Sequence, residues 1–268
     1  MTKKTRSMIR TSWLLLASAI TLSISLVPIP VISADGIDPN ADKILKSMSS
    51  YLAQTKAFSM DADIGIEFVT KEGQKLQLNS FATVVMQRPN KLYMHRRGPI
   101  ADAEFIFDGK TLTVHGKRNN VYAQIDAPGT IDAAIHAFEF ETGIPMPGAD
   151  LLFADPYAIL SAGVQSSTDL GLAYVNGIEC HHLAFRNEKV DWQLWVQTGD
   201  KPLPLKYVIT SKWQTAAPQY EATLRDWVTD PQINPNQFTF SPPPGSTKLQ
   251  TLPANELDDV TSAEGEQS

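Results

Sequence analysis

Histidines offer the widest choice of chemistry in this chain, which contains five of them. His181 and His182 are adjacent in a segment that alternates like a β-strand, so their side chains point to opposite faces and cannot share one metal ion. His95, His115 and His136 are isolated, and no pair has the spacing of a zinc motif. We therefore predict no metal site. A hydrolase that uses His181 or His182 with a carboxylate is therefore only a weak functional hypothesis.

Other catalytic signatures are also missing from the sequence. There is no G-x-S-x-G nucleophile elbow, no Gly-rich phosphate loop and no C-x-x-C pair. Cys180 is the only cysteine and lies in an apolar stretch, which is typical of a small buried hydrophobic residue. Asp61 and Asp63 share one face of a predicted strand, but the opposite face is apolar, so theirs is the solvated side. We predict a protein that is not an enzyme and that requires no cofactor.

Two further groups of side chains suit ligand binding. Arg96 and Arg97 precede Gly98-Pro99, where they either hold an acidic head group at a cavity rim or keep an edge strand soluble. Large amphipathic rings are concentrated in the last strands, including four tryptophans. Most should be core, and in a strongly curved sheet some could line a pocket of lipid size.

The elements that must position these residues begin with one amphipathic helix after Asp38-Pro39. From Phe58 the apolar period changes to two, which predicts a long strand with one dry side. A second long strand follows the turn at 71–74 and ends at 88–90. Shorter strands predicted over 91–97, 104–107, 112–115 and 121–125 complete a six-strand meander.

A helical period returns after Pro128-Gly129-Thr130 and should stop near Gly143. A second helical stretch, 150–161, is expected to kink or restart at Asp155-Pro156. Five strands then follow, over 164–175, 178–185, 190–196, 205–213 and 220–228. We predict a mainly β (α+β) fold, an incomplete and strongly curved antiparallel β-barrel with helices that plug or lid its concave face.

Such a fold encloses a cavity between the apolar side of the sheet and the helices. The candidate cavity residues are the apolar side chains predicted to face that space: Phe58, Met60, Ile64, Ile66, Leu78, Val84, Ile131, Ile135, Phe138, Leu152, Trp192, Trp195 and Trp213. An arrangement in which the helices simply fill the barrel would have the same sequence pattern.

The two ends of the chain differ from its middle. Residues 1–34 combine a basic start with an uncharged apolar run and are predicted to be a signal peptide, cleaved near Ala34. The alternative is an uncleaved membrane anchor, for which the run is shorter than the roughly 20 residues that span a bilayer. Removal of the signal peptide lowers the formal net charge from −6 to −10, which argues against binding to nucleic acid or to an anionic membrane. No later segment is apolar enough to span a membrane, and no cysteine follows the signal to carry a lipid. Residues 35–248 should form one domain, and 249–268 an acidic, disordered tail.

Several short segments of the sequence, and the order in which they occur, resemble the DUF2092 family of predicted periplasmic proteins. They are Asp108-Gly109-Lys110-Thr111-Leu112, Pro128-Gly129-Thr130-Ile131-Asp132-Ala133-Ala134, Ala149-Asp150-Leu151-Leu152, Cys180-His181-His182-Leu183-Ala184-Phe185, Val190-Asp191-Trp192-Gln193-Leu194-Trp195, Pro202-Leu203-Pro204 and Phe238-Thr239-Phe240-Ser241-Pro242-Pro243. That family looks similar to the LolA/LolB superfamily, whose fold is an incomplete antiparallel barrel over helices that plug an apolar cavity. The resemblance implies the fold and less about activity, because no carrier-specific residue can be placed here.

Two functions remain open from the sequence. The first is a periplasmic binding or carrier protein for a lipid, a lipoprotein or another hydrophobic ligand held in the half-barrel. The second is an envelope sensor or protein-interaction module with no bound lipid, which would use the exposed sheet edge and the acidic tail. The volume and polarity of the space between sheet and helices should separate a binding pocket from a filled barrel.

Overall fold

The first described element is a helix that covers one end of the sheet. A computed structural model describes residues 36–250. Helix α1 runs over Pro39–Gln54, and the side chain of Asp38 caps it by accepting a hydrogen bond of 2.8 Å from the backbone N–H of Asn40. Leu45, Met48 and Leu52 bury its apolar stripe. The helix predicted after Asp38-Pro39 is confirmed.

The first meander forms as the alternating pattern predicts. Met60 and Ala62 are buried, whereas Asp61 and Asp63 lie on the other face of the same strand. Arg88 follows the second strand, and Arg97 is the last residue of the third. The six strands are β1 (Ala57–Val69), β2 (Lys75–Gln87), β3 (Lys91–Arg97), β4 (Asp102–Phe107), β5 (Thr111–Gly116) and β6 (Val121–Asp126).

The helical insert, defined here as residues 131–161, interrupts the strands. Thr130 caps helix α2, which ends at Gly143 because that residue adopts a left-handed φ of 69°. Asp155 caps the last helix, so the chain restarts at Asp155-Pro156 as predicted. The insert consists of α2 (Ile131–Thr142), a 3₁₀ turn (Ala149–Leu152) and α3 (Pro156–Ser161).

The second meander returns to strands of apolar alternation. Its hairpin turn at Asn176-Gly177 joins the first two strands, as predicted. The strand predicted to reach Trp213 ends instead at Ser211, so Trp213 lies in the following turn and is 60% exposed. The five strands are β7 (Ser166–Val175), β8 (Ile178–Arg186), β9 (Val190–Gln197), β10 (Pro204–Ser211) and β11 (Gln219–Thr229).

With a final two-residue strand, β12 (Thr247–Lys248), the strands of residues 36–250 form one sheet in the order β12-β6-β5-β4-β3-β2-β1-β11-β10-β9-β8-β7. Antiparallel pairing of β1 with β11 joins the two meanders, and β7 ends the sheet on one side. On the other side strand β12, which sequence analysis missed, pairs in parallel with β6. Within residues 36–250 the terminal strands do not pair with each other, so the sheet is curved and open. The predicted incomplete barrel is confirmed.

The core fills the concave side of this sheet, between the long strands and the three helices. None of the helices within residues 36–250 combines the length and the apolar character needed to cross a membrane. The predicted signal peptide, its cleavage site and residues 251–268 of the predicted tail lie outside the described residues. Leu249, at the start of that tail, donates a backbone hydrogen bond of 2.7 Å to the carbonyl of Tyr122.

Candidate functional site

An apolar cleft separates the concave face of the sheet from the helical insert. Its volume is about 120 Å³. The central strands β1, β2 and β11 form its floor through small or flexible side chains, among them Met60, Ala62, Ala82 and Ala222. The alternation of these strands places the side chains there, because every second residue faces the same side of a sheet.

The segment that joins α2 to the 3₁₀ turn forms the roof of the cleft. Ile144 is buried, Met146 is half-buried, and Pro145 and Pro147 are exposed. Gly148 has a φ of +86°, and a Cβ atom there would lie 3.0 Å from Oη of Tyr220. A glycine therefore allows the roof to approach the sheet closely.

A few polar groups meet at one side of the cleft. Tyr207 donates a hydrogen bond of 3.3 Å to Oδ2 of Asp150. Burial is the main cause that raises the pKa of the Asp150 carboxyl, and the hydrogen bond from Tyr207 opposes it. Burial also raises the pKa of Tyr220 to about 12 and holds that of Tyr207 well above its ordinary value. Among the described residues that line the cleft, Arg96 carries the only charge, and its Nε donates a hydrogen bond of 3.2 Å to Oγ of Ser80.

Some of the predicted cavity residues surround this cleft. The strand residues that do so belong to β1 and β2, and the insert contributes one side chain from α2 and one from the 3₁₀ turn. They are Met60, Ile64, Ile66, Val84, Phe138 and Leu152.

The other predicted cavity residues lie elsewhere. Ile131 and Ile135 are buried in the core on α2, and Leu78 is half-buried on β2. Phe58 is buried with its ring centroid 5.1 Å from that of Trp227.

The predicted tryptophans do not meet at the cleft. Trp192 is buried and stacks on Phe185 at 3.9 Å, while Trp195 stacks on His182 at 4.1 Å on the outer face. Trp213 is exposed in a turn.

Sequence reasoning missed several residues that line the cleft. Ala62 and Ala82 follow the same alternation as Met60 and Val84, so the period of two in the apolar residues was sufficient to predict that they face the cleft. The roof residues 144–149 have no periodic pattern, and only the three-dimensional fold brings them over the sheet.

The histidines remain apart from the cleft. Nε2 of His182 lies 2.9 Å from Oε1 of Gln193, and burial lowers the pKa of the imidazole. His95 pairs with Asp102, and His115 with Glu104. No group of three or more potential metal-ligating side chains occurs in residues 36–250.

Three solved structures illustrate the similarity of the chain to known proteins. LprF from Mycobacterium bovis has 14% identity and a TM-score of 0.45, with 74% of this chain and 98% of that chain covered. A LolA superfamily protein from Nitrosomonas europaea has 9% identity and a TM-score of 0.37, with 75% and 97% covered. The MucA/MucB complex of Pseudomonas aeruginosa has 12% identity and a TM-score of 0.40, with 75% and 61% covered.

A family model gives a longer and more specific match. No curated protein matches the chain. The model of the DUF2092 family, described as predicted periplasmic protein, matches residues 41–252 and so includes both meanders, the insert and the cleft between them. The chain belongs to the DUF2092 family of predicted periplasmic proteins.

Proposed function

We propose that this periplasmic protein binds or carries a hydrophobic ligand, such as the acyl chains of a lipid or lipoprotein, in the cleft beneath the helical insert. The observation that supports the proposal is the position of the cleft, whose apolar lining comes from the sheet on one side and from the insert on the other. A cleft between two separate elements can widen when one of them moves. Removal of acyl chains from water would favour binding by about 0.8 kcal/mol per buried CH₂ group.

The size of the cleft indicates how a ligand would enter. Its volume of about 120 Å³ is well below the roughly 300–1,000 Å³ of ordinary small-molecule sites. An acyl chain would therefore require displacement of the insert, and we infer that the proposed carrier is closed in this arrangement and opens to admit its ligand.

Polar contacts fix the insert to the rest of the fold at several points, including a hydrogen bond of 2.6 Å that the hydroxyl of Tyr157 donates to Oδ1 of Asp42. Nη1 of Arg88 donates a hydrogen bond of 3.1 Å to the carbonyl of Leu152. The Nε and Nη2 atoms of Arg88 are buried without a hydrogen-bond partner, which costs free energy in the closed form. Tyr207 and Asp150 provide a further connection, and burial disfavours the charged form of that carboxyl and so raises its pKa.

Arg96 would meet the polar end of a bound amphiphile. It lines the cleft from β3, where it is half-buried among apolar neighbours. A guanidinium in such a position can pair with a carboxylate or phosphate head group while the acyl chain lies along the sheet.

Co-purification tests this proposal most simply. The protein is isolated from the periplasm without detergent, analysed by native mass spectrometry and extracted with organic solvent for lipid analysis. We expect an amphiphile bound in stoichiometric amount. Protein that carries no amphiphile and also fails to bind a fluorescent fatty acid would refute the proposal.

A second candidate function uses the edge of the sheet as a site for a protein partner. Strand β7 has a neighbouring strand on one side only. Residues 36–38 hydrogen-bond to the start of its other edge, and beyond them the strand exposes Leu170, Leu172 and Tyr174, the last with 68% of its surface accessible. An extended segment of another envelope protein could add to this edge. In-cell cross-linking from position 172 that captures a stable partner, together with an empty cleft, would favour this function over the first.

A further inference from the structure

The outer face of the sheet carries a second concavity, on the opposite side of β1 from the apolar cleft. Its volume is about 520 Å³, within the roughly 300–1,000 Å³ of small-molecule sites. Gly65 lies at its centre and pairs across the sheet with Asn79 on β2 and Glu221 on β11. Gln77 and Thr223 extend the lining on the two sides.

The missing side chain of Gly65 creates this outer depression. A Cβ atom at position 65 would lie 2.6 Å from Nε2 of Gln77 and 3.4 Å from Oδ1 of Asn79. The two amide groups therefore lie directly over the glycine. Both present a donor and an acceptor at the floor of the depression.

The side chains of the depression differ in hydrogen bonding from many others on the outer face. Cross-strand pairs of outward polar side chains there include Thr83–Asp61, Gln124–Thr113, His182–Gln193 and Gln219–Thr210. Within residues 36–250 the side chains of Gln77, Asn79 and Thr223 make no hydrogen bond. Their donors and acceptors remain available to a ligand.

The charges around the depression largely offset one another. Glu221 pairs with Lys206 at 2.8 Å, and Asp63 pairs with Arg225 at 2.8 Å. Arg97 is exposed and lies over the ring of Phe81, 5.0 Å from its centroid. A strongly charged ligand would find no net complementary charge, whereas a neutral polar ligand would find donors and acceptors together.

We propose that this outer depression binds a neutral saccharide. Each sugar hydroxyl both donates and accepts hydrogen bonds, so it matches a lining of amides, carboxylates, a hydroxyl and a guanidinium. The depression and the apolar cleft lie on opposite faces of the same strands, and the saccharide site is independent of the proposed carrier function.

Titration of the ¹⁵N-labelled protein with N,N′-diacetylchitobiose and with maltose tests the proposal by NMR. We expect saturable shifts of the amide signals of Gly65, Gln77, Asn79 and Thr223 with at least one of these two sugars. Gln77→Ala should weaken that binding about tenfold, the effect of losing one or two hydrogen bonds. Gln87→Ala is the matched control, because Gln87 is an exposed glutamine on the outer face of the same strand, away from the depression.

Three results would overturn the proposal. The first is the absence of shifts with both sugars at about 10 mM, a concentration that detects dissociation constants in the millimolar range. The second is a set of shifts that lies outside the depression. The third is an equal affinity of Gln77→Ala and Gln87→Ala, since both variants remove an outward side chain and leave the core unchanged.

Discussion

Asp150 shows how one carboxyl can couple the closed form to pH. It is held beside Tyr207 where the insert meets the sheet, and its pKa is raised mainly by burial. Because the native pKa exceeds the ordinary value of 3.8, the native state loses stability as the pH rises through the raised pKa. Below the ordinary value both states are protonated, and the penalty disappears.

We therefore predict that Asp150→Asn stabilises the protein at pH 7, since asparagine keeps an acceptor for Tyr207 and carries no charge. The gain in the free energy of unfolding should shrink as the pH falls toward 4. Urea denaturation of both proteins at the two pH values measures this difference. A gain that is equal at both values, or a less stable variant at pH 7, would contradict the prediction.

The sequence correctly predicted that a residue lines the cleft only where the alternation of a strand fixes which face of the sheet its side chain occupies. Met60 and Val84 line the cleft because β1 and β2 alternate and lie at its floor. Trp192 and Trp195 come from one strand but occupy opposite faces, and neither reaches the cleft. Amphipathic rings satisfy either environment, so the type of residue alone could not place them.

At the scale of elements, the helical insert is the part that the carrier proposal requires to move. It covers the cleft through residues 144–152 and contacts the sheet through one face of α2. Strands β1 and β2 are paired along their whole length in the middle of the sheet. Local opening should therefore cost less free energy in the insert than in these strands.

Hydrogen exchange checks this difference directly. We expect the amides of residues 131–161 to exchange through local opening, with protection about tenfold or more below that of β1 and β2, which corresponds to at least about 1.4 kcal/mol. A saturating fatty acid should slow exchange in the insert. Equal protection of insert and central strands would mean that the insert is a fixed part of the core.

The types and the order of the helices and of strands β1 to β11 were predictable from the sequence. The pairing of β1 with β11 and that of β12 with β6 were not. The apolar period changes from two to a helical value and back, which is a local signal. The pairing of β1 with β11 joins segments far apart in the chain, and no local pattern specifies it. Strand β12 contains two residues, too few for any alternation.

At the scale of the whole molecule, the open sheet gives the protein two chemically different faces. The concave face and the insert enclose apolar surface, while the outer face carries paired polar groups and the depression at Gly65. The fold class was predictable because both meanders have one-sided apolar strands. The volume of the cleft was not, since a filled and an open barrel have the same apolar pattern.

The binding of a fluorescent fatty acid, cis-parinaric acid, to two variants at adjacent residues tests whether the cleft holds an acyl chain. Ala82→Phe places a ring in the cleft, whereas Thr83→Phe places the same ring on the outer face of the same strand. Ala222→Phe fills the cleft from β11, and circular dichroism establishes that each variant is folded. We expect the wild type and Thr83→Phe to bind the probe, and both cleft-filling variants to lose about tenfold or more in affinity. Equal binding by all four folded proteins, or none by the wild type, would rule out a ligand site in the cleft.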